Sequence, residues 1–597
     1  MGRTAEVDEP ERSTLPDRPG VRDGVVAALL IVGATLAFHL LLHPRIGDAD
    51  GFYHLGHALH YAGTSLLDTR FPWTAFSAIG EAGADLWWGF HALLVPFTGV
   101  GGSGAGGEVA AAIRVAAGAF TIAALGGVAW LAFRHAFLGV VLWPVLFFVA
   151  VPNVLFRYLM VRPEVLSIPL ALLLLSALVR RQPWLVLALA TAITWVHLSM
   201  FWLAPGMAVV WAGATWVDRR VLGRGATPSP ARDERPGHND RVEAARAGRT
   251  GWLLALVVAG TALGWLLRPN PMGAAHLAWI QIAQLLFEKT GDTPLTFAVE
   301  LAPLPMASLL STAWPLLLAW LGGLAWLGFT AEEEPERVKR IPARERIFLW
   351  STTLIGAGFL ALTVLVARRS LVQWAAFAVV GVALVVTHLT PREKRHAVSR
   401  VLLLTVPLLF TWSLWRNALN AQYVAKAPDY LEEVALWLAD HSEPGDLVFN
   451  THWDTFGPLF ARNRVNHYLG GMDPIFQFAR DPEAYWTYHH LSTDVATAVT
   501  CPHADCTPDQ VEDTWEAMRE RFGARWVLVE PRRNPRLSRF LLEDERFRLA
   551  LETQREAVFE VLPPGEVAPR PGFLDEEGGG VGAPPDNLPG AGSPGRE

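Results

Sequence analysis

The stretch that decides the fold is Ile46-Gly-Asp48-Ala-Asp50-Gly-Phe-Tyr53-His54-Leu-Gly-His57-Ala-Leu-His60-Tyr61. Two carboxylates lie two positions apart in it and are followed within ten residues by three imidazoles. The stretch comes directly after the first long apolar run, Val25–Leu42. Such a cluster is expected where a bilayer ends and water begins, close to a divalent cation, a phosphate or an acceptor hydroxyl. We therefore expect the rest of the chain to build a membrane-embedded cavity over this loop.

The composition is that of a membrane protein with several spans. The 597 residues are 51% hydrophobic and 18% charged, and the mean hydropathy is +0.26. These values exclude a disordered chain and favour a polytopic membrane protein. The 25 tryptophans and 30 phenylalanines suit aromatic belts at membrane interfaces. A net charge of −7 does not indicate a nucleic-acid partner.

Apolar runs of about 17–25 residues predict about eleven transmembrane helices, several of them short. We assign the spans to Val25–Leu42, Val109–Phe133, Ala136–Val151, Val165–Val179, Trp184–Leu198, Met200–Val217, Trp252–Leu267, Ser308–Thr330, Ile347–Val366, Leu371–Thr387 and Val401–Trp415. The stretch Leu86–Val100 is expected to lie on the outer face without crossing. The alternative is that it crosses and that Trp184–Leu198 does not.

The positions of the arginines predict the orientation, because cytoplasmic loops are enriched in basic residues. Arg12, Arg18 and Arg22 precede the first span, which puts the N-terminus in the cytoplasm and Asp48 and Asp50 outside. The domains expected from this are a disordered cytoplasmic N-terminus (1–22), a transmembrane domain (23–418) with its first outer loop at 43–108, an extracytoplasmic α/β domain (420–563) and a disordered tail (565–597). We expect the chain to be an integral protein of the bacterial inner membrane.

The α/β assignment rests on alternating periodicity after residue 420. Helix-like and strand-like segments alternate, the helices at Asp429–Asp440, Pro508–Phe522 and Pro535–Asp544 and the strands at Asp446–Phe449, Arg525–Val529 and Ala557–Val561. Cys501 and Cys506 are the only cysteines. They form either a local disulfide or a free thiol pair, and their spacing matches no common zinc site.

Asp48-x-Asp50 places two carboxylates within reach of one divalent cation. Mg²⁺ and Mn²⁺ take oxygen ligands and often complete their shell with a bound phosphate. The pattern allows both acids on the ion, or one on the ion and the other free as a base. A solvated pair of loop acids is the alternative.

Cations next to apolar helices indicate a site for a lipid-linked phosphate. Arg162, beside Glu164, and the pair Arg368-Arg369 are the candidates, with a salt-bridged helix start as the alternative for Arg162. His197, at the end of an apolar run, is a candidate for hydrogen bonding to substrate or for a satisfied buried histidine.

Two further motifs contribute candidates. Arg268 and Asn270 belong to a rigid turn, Arg268-Pro-Asn270-Pro271-Met-Gly273, where ordinary loop structure is the alternative. Trp453 and Asp454 follow a predicted strand, at the end of a sheet where α/β folds place ligands. A packed tryptophan with a capping aspartate is the alternative for this pair.

Taken together, these motifs resemble the type-C glycosyltransferase superfamily, membrane enzymes that use polyprenyl-phosphate sugars. They resemble most closely a bacterial multi-span branch in which the motifs recur in order. Here the motifs are Asp48/Asp50/His54, Arg162-Pro163, His197, Asn270-Pro271-Met-Gly273 and Trp453-Asp454. The fold that the resemblance implies is an α-helical polytopic domain with juxtamembrane helices in its first outer loop and a C-terminal extracytoplasmic α/β domain.

The resemblance implies an inverting glycosyltransferase that moves a sugar from a polyprenyl-phosphate donor to a hydroxyl of a lipid, glycan or protein. In this reading Asp48 is the general base, and Asp50 is the candidate ligand of Mg²⁺ or Mn²⁺. The phosphate would lie near Arg368, Arg369 or Arg162, and His54 and Glu164 are further candidates for binding the substrate or its phosphate.

Two alternatives remain open. One is a transporter or flippase for a lipid-linked glycan. The other is a non-catalytic binding protein of the same fold, because Gly470-Gly471-Met472-Asp473 stands where the resemblance would place Asp-Gly-Arg.

Overall fold

A computed structural model describes residues 20–41, 45–100, 107–221, 238–289, 295 and 298–568. Of the expected disordered N-terminus, 1–22, residues 1–19 lie outside the described residues, and the first helix begins at Val21. Of the expected disordered tail, 565–597, residues from 569 onward lie outside them.

Helices make up most of the described chain up to Val424. The first are α1 (Val21–Leu41), α2 (Asp50–Gly63), α3 (Ala78–Ala82), α4 (Trp88–Leu94), α5 (Gly107–Arg134), α6 (Trp143–Val149), α7 (Pro152–Arg157), α8 (Glu164–Val179) and α9 (Pro183–Val196). The next are α10 (Leu203–Val221), α11 (His238–Leu266), α12 (Pro271–Trp279), α13 (Leu285–Lys289), α14 (Met306–Glu333), α15 (Pro335–Arg340), α16 (Ala343–Leu365), α17 (Leu371–Leu389) and α18 (Arg395–Val424).

Among the described residues, eight helices are long and apolar enough to cross a membrane. They are Val21–His39, Glu108–Arg134, Leu198–Arg220, Gly248–Leu266, Met306–Glu333, Ala343–Leu365, Arg368–Leu389 and Arg392–Leu419. The expected count of about eleven spans is not confirmed. Glu164–Val179 and Pro183–Val196 are shorter apolar helices, and so is Trp88–Phe97, within the stretch that we expected not to cross.

The stretch Ala136–Val151, expected to be one span, is a turn followed by the seven-residue helix α6. Ala136 (φ 48) and Gly139 (φ 70) adopt left-handed backbone conformations that end the preceding helix. Pro152 then begins the separate short helix α7. Hydropathy responds to composition and does not detect such breaks, so the sequence overestimated the length of this helix.

The helices differ in how much of their surface other helices cover. Of an 18-residue apolar stretch of α17, 83% is buried inside the protein, whereas only 6% of such a stretch of α18 is buried. The apolar side chains that α18 exposes include Val401, Leu404 and Leu408. An exposed apolar face of this extent suits contact with lipid, and α17 forms the centre of the bundle.

Small residues allow the helices α9 and α11 to pack backbone against backbone. A Cβ atom added at Gly260 would lie 2.6 Å from the carbonyl oxygen of Leu187, and one added at Gly264 would lie 2.3 Å from that of Thr191. The two glycines are four residues apart and therefore share one face of α11. Glycines with this spacing at a helix interface are typical of membrane bundles.

The residues after Val424 form the small α/β region that the sequence predicts. Its helices are α19 (Glu432–His441), α20 (Phe456–Arg462), α21 (Ile475–Arg480), α22 (Pro482–Ser492), α23 (Thr514–Glu516) and α24 (Pro535–Glu543). Its strands are β1 (Leu447–Asn450), β2 (His467–Tyr468), β3 (Val499–Thr500), β4 (Glu512–Asp513), β5 (Ala524–Val529), β6 (Phe547–Glu552) and β7 (Ala557–Val561). Cys501 and Cys506, left open by the sequence, form a disulfide.

The main sheet has the order β2-β1-β5-β7-β6. β1 runs parallel to β2 and β5, and β7 runs antiparallel to β5 and β6. The neighbouring parallel strands β1 and β2 therefore end on the same edge, so the segments that follow them lie side by side. β6, and β3 and β4 outside this sheet, have no counterpart among the predicted strands.

The α/β region packs onto the first loop at one end of the helix bundle. Helix α20 lies on α2, and a Cβ at Gly457 would be 2.5 Å from the carbonyl oxygen of Ala49. Ile46 exchanges backbone hydrogen bonds with Lys426. The first loop is thus held between the helix bundle and the α/β region.

Candidate functional site

A cavity of about 560 Å³ lies where the helix bundle, the first loop and the α/β region meet. Its volume is in the usual range of small-molecule sites, about 300–1,000 Å³. Ten of the twelve candidate residues from the sequence line it: Asp48, Asp50, His54, Arg162, Glu164, His197, Arg368, Arg369, Trp453 and Asp454. Residues separated by more than four hundred positions in the chain, from Asp48 to Asp454, therefore share one cavity. Arg268 and Asn270 do not line it.

Arg162 is the centre of the charged wall of this cavity. Its Nε donates to Asp48 Oδ2 at 2.5 Å and its Nη2 lies 2.8 Å from Asp50 Oδ2. Its Nη1 donates to Glu300 Oε1 at 2.9 Å. The guanidinium thus contacts three carboxylates, a geometry that its planar fork of donors is suited to hold. The salt-bridged alternative that the sequence left open for Arg162 describes its contacts in the structure.

Glu300, which the sequence reasoning missed, connects this cluster to a second arginine. Its Oε2 accepts a hydrogen bond of 2.7 Å from Arg157, which also contacts Glu164 at 3.4 Å. Burial acts to raise the pKa of Glu300, but Arg157 and Arg162 together hold it below the usual value. A lone carboxylate in the apolar segment Ala298-Val299-Glu300-Leu301-Ala302 was the signal available in the sequence.

The pKa of Asp50 is shifted in the opposite direction from that of Glu300. Burial is the largest influence and raises its pKa to about 7, helped by the carboxylates of Asp48 and Glu300 and opposed by Arg162. Asp50 begins α2, so its position is fixed by the helix that also carries His54. A carboxyl with this pKa is partly protonated at neutral pH.

The contacts of Arg162 bear on the expected divalent cation. A cation held jointly by Asp48 and Asp50 would lie between their oxygens, and the guanidinium of Arg162 is already bound to both. The arrangement therefore does not fit a metal bridging the two acids. A cation on Asp50 alone, completed by a substrate phosphate, stays a prediction.

Arg368 and Arg369 line the same cavity and lie directly before α17. Arg368 makes one weak hydrogen bond, of 3.4 Å, to the carbonyl oxygen of Pro303. Among the described residues, the guanidinium of Arg369 has neither an ion-pair nor a hydrogen-bond partner. It is close enough for its charge to act on Glu300 and Asp473. Arg369 is thus a half-buried cation that is unpaired in the described part of the chain, whereas Arg162 in the same cavity contacts three carboxylates.

The remaining helix-end candidates are placed by α8 and α9. Glu164 is the first residue of α8, and His197 follows the last residue of α9. His197 Nδ1 lies 3.2 Å from the hydroxyl of Ser167, one turn along α8 from Glu164. Both side chains reach the cavity because the two helices are packed against each other.

The α/β region contributes through the carboxyl ends of its parallel strands, the positions that the sequence singled out. Trp453 and Asp454 follow β1, and Met472 and Asp473 follow β2; all four line the cavity. Asp454 pairs with Lys426 at 3.2 Å and with Arg533 at 3.1 Å, so it also joins the region to the end of α18. Burial raises the pKa of Asp473 to about 6.

Arg268 and Asn270 have structural contacts in place of the expected cavity contacts. Arg268 is buried and donates to backbone carbonyl oxygens of five residues: Asp85, Leu86, Thr194, Trp195 and Gly264. Asn270 adopts a left-handed conformation (φ 46) and caps α12 by accepting from the amide of Gly273 at 3.0 Å. Ordinary loop structure, the alternative for this turn, describes both residues.

His54 enters the cavity from α2 and is held from behind by two residues that the sequence reasoning missed. Its Nδ1 lies 2.7 Å from His91 Nε2, and His91 Nδ1 lies 2.6 Å from Asp85 Oδ2. Asp85 also accepts a hydrogen bond of 2.8 Å from the hydroxyl of Tyr61. We call Asp85, His91 and His54 the histidine chain. A lone aspartate ahead of an apolar helix that carries a histidine was its only sequence signal.

His57, Asp85 and His91 also place three metal-capable atoms within 4.8 Å of one another. Two ligands of one Zn²⁺ at about 2.0–2.1 Å in a tetrahedral shell are more than about 3 Å apart. The 2.6 Å between His91 and Asp85 is instead a hydrogen-bond distance. The geometry therefore fits a buried hydrogen-bonded chain and not a metal centre.

A comparison of the sequence with protein-family models found no match, and a comparison with curated proteins found none either. The function is therefore inferred from the chemistry of the cavity.

Proposed function

We propose that the protein is a membrane glycosyltransferase that moves a sugar from a polyprenyl-phosphate donor to an acceptor hydroxyl on the extracytoplasmic face. The orientation follows the arginine distribution of the loops. The acceptor belongs to a lipid, a glycan or a protein. The enzyme has an inverting mechanism, in which the acceptor oxygen displaces the phosphate in one step.

One observation carries the proposal: a single cavity at the junction of bundle and α/β region is lined by arginines, by carboxylates and by apolar side chains. The apolar lining includes Phe156, Met160 and Leu371. A donor with an isoprenoid tail, a phosphate and a sugar needs these three environments next to one another. A soluble phosphosugar would have no use for the apolar wall.

The phosphate is expected at Arg369, with Arg368 beside it. Binding there does not require an existing ion pair to break, whereas Arg162 is already bound to Asp48, Asp50 and Glu300. A guanidinium and a phosphate form charge-assisted, often bidentate, hydrogen bonds. The same cations stabilise the charge that grows on the phosphate as it leaves, which is the main catalytic contribution expected of such a site.

The sugar and the acceptor would lie toward the carboxylates. Sugar hydroxyls are donors, and half-buried carboxylates such as Glu300 and Asp473 are acceptors that hold them in a fixed orientation. Trp453, at the end of β1, offers an aromatic face and an N–H group to the same part of the cavity. The role of Asp48 as general base stays a prediction, since its Oδ2 is bound by Arg162.

The experiment is a transfer assay with the full chain in lipid nanodiscs. The donors are a panel of radiolabelled polyprenyl-phosphate hexoses, and the acceptor is a lipid and glycan extract of bacterial membranes. We expect release of polyprenyl phosphate together with labelled product. Donor binding without release would support the non-catalytic alternative. Movement of intact donor across vesicles without transfer would support the flippase alternative.

A matched pair of arginine variants connects the assay to the cavity. Arg369→Gln should weaken donor binding by about 10–100-fold, because a hydrogen bond to a charged group contributes about 1.5–3 kcal/mol. Arg532→Gln removes an exposed arginine away from the cavity and should leave binding unchanged. Equal donor affinity in both variants would contradict the placement of the phosphate.

A further inference from the structure

The histidine chain connects a fully buried carboxylate to the cavity through two imidazoles. Asp85 and His91 are buried, whereas His54 lines the cavity. The two links, 2.6 Å and 2.7 Å, are both short hydrogen bonds. Neither Asp85 nor His91 reaches the cavity, so any influence that they have on a substrate must pass through His54.

With the imidazoles of His91 and His54 both neutral, the hydrogen bonds allow one assignment of protons. Asp85 receives hydrogen bonds from the Tyr61 hydroxyl at 2.8 Å and from the Trp87 amide at 2.9 Å, which requires acceptor oxygens. Against burial, His91 and His57 hold the pKa of Asp85 well below its usual range, so it is a carboxylate. His91 then donates from Nδ1 to Asp85 and accepts at Nε2 from His54 Nδ1. This leaves His54 Nε2 with a free lone pair.

His54 Nε2 is the part of the chain that a cavity ligand can reach. Among the described residues, it has no hydrogen-bond partner. The charged and titratable groups that face His54 are His57 on the same helix, His91 on α4, Asp85 ahead of α4, and Arg162 ahead of α8. Burial, with the nearby His91, keeps the pKa of His54 well below its usual value, so the neutral ring is the populated form at pH 7.

We propose that His54 is the general base of the transfer reaction, and that His91 and Asp85 are positioning residues that orient its ring and stabilise its protonated form. The inference rests on the proposed function. The acceptor oxygen forms its bond to the anomeric carbon as the bond from that carbon to the phosphate oxygen breaks. The electron pair leaves with the polyprenyl phosphate, and the hydroxyl proton moves to His54 Nε2.

The arrangement assigns a different role to Asp48 from the one expected of it. Arg162 binds its Oδ2 at 2.5 Å, and the amide of Gly51 donates to its Oδ1 at 3.3 Å. Both oxygens of Asp48 are therefore engaged by donors, and accepting a substrate proton there would require one of these contacts to break. Asp48 then acts by fixing Arg162, whereas the imidazole of His54 has an unoccupied nitrogen and a buried negative charge behind it.

The first test needs no donor and uses diethyl pyrocarbonate, which acylates neutral imidazole nitrogens, with mass spectrometry of the full chain in nanodiscs. We expect His54 to react and His57 and His91 to be protected. In Asp85→Asn, the pH at half-maximal reactivity of His54 should fall by at least half a unit, because the carboxylate that favours the protonated ring is gone. An unreactive His54, or an unchanged midpoint, would overturn the inference even if transfer is observed.

The second test measures transfer. His54→Gln should lower kcat at least about 100-fold, in the range of general-base contributions, while donor affinity changes less than about twofold. His91→Gln should lower kcat about tenfold and move the pH profile in the direction of Asp85→Asn. The matched control is His60→Gln, a buried histidine of the same helix that bonds to the Asp68 carbonyl oxygen outside the cavity.

The two tests separate this inference from the function on which it rests. If the wild-type protein transfers no sugar, the proposed function fails. The labelling of His54 still reports whether Asp85 and His91 shift the pH dependence of its reactivity. If transfer occurs and His54→Gln or His54→Asn retains wild-type kcat, the base assignment fails alone. A purely structural role of His91 would change the yield of folded protein and leave the pH profile of the folded fraction in place.

Discussion

Two arginines that look alike in the sequence have opposite surroundings in the fold. Arg162 and Arg268 each stand next to a proline at an end of an apolar helix. Arg162 meets Asp48, Asp50 and Glu300 on the wall of a cavity. Among the described residues, Arg268 donates hydrogen bonds only to backbone carbonyl oxygens, at the junction of α9, α11 and the first loop.

The difference shows how a charged residue near a membrane becomes part of a site. A guanidinium bound by carbonyl oxygens is satisfied by the fold itself, and a ligand gains nothing from it. A guanidinium bound by carboxylates makes a cluster whose charge depends on pH and on what enters the cavity. The surroundings, and not the residue type, therefore separate a structural arginine from a functional one.

The largest effect is expected from Arg162→Gln. Removing this cation leaves Asp48, Asp50 and Glu300 close together and without their common partner. The loss of one member of a buried ion pair costs about 3–5 kcal/mol. The double variant Arg162→Gln/Glu300→Gln removes one of the repelling charges and should recover part of this stability. Thermal unfolding in nanodiscs, followed by tryptophan fluorescence, measures both changes, and no recovery in the double variant would contradict the charge-cluster description.

A somewhat smaller loss is expected from Arg268→Gln, at about 3 kcal/mol, because hydrogen bonds from a charged donor contribute about 1.5–3 kcal/mol each and glutamine replaces few of them. The contrast with Arg162 lies in function. The folded fraction of Arg268→Gln should bind a polyprenyl-phosphate hexose with wild-type affinity in the nanodisc assay. A specific loss of donor binding would show that Arg268 contributes to the donor site, contrary to this description.

The smallest effect is expected from pH. Burial raises the pKa of Asp50 to about 7, so the cavity gains a negative charge as the pH rises from 6 to 8. The donor is a phosphodiester whose charge is constant over this range, and its affinity should therefore fall by roughly five- to tenfold, the size expected for one nearby like charge. Asp50→Asn should bind tightly and without this pH dependence. The same dependence in Asp50→Asn would assign it to another group, with Asp473→Asn as the next variant to measure.

The sequence predicted a large part of the site but not its internal pairing. Asp48, His54, Arg369 and Trp453 were singled out as charged or aromatic residues at helix and strand ends, and the cavity brings them together. Glu300 was missed because one carboxylate in an apolar segment has no pattern around it. Asp85 and His91 were missed for a similar reason, since their contact depends on the fold of the first loop.

The helices and strands likewise divide into those that the sequence predicted and those that it did not. Apolar length predicted long helices such as α14 and α16 well, because burying a polar backbone without water forces a helix. It failed at Ala136–Val151, where left-handed residues and Pro152 interrupt the run. In the α/β region, periodicity found β1, β5 and β7, whereas the order of the strands came only from the structure.

The sequence by itself determined the helical membrane-protein character, the small α/β region after it, and the types of residue available at the ends of these elements. These follow from composition and periodicity, which are local properties of the chain. Only the tertiary structure decided that, in the described part of the chain, Arg162 is paired and Arg369 is not. It also decided that Arg268 bonds to backbone carbonyl oxygens and that His54 is hydrogen-bonded to Asp85 through His91. Such pairings join residues far apart in the chain, and they exist only once packing has fixed the distances and removed the water.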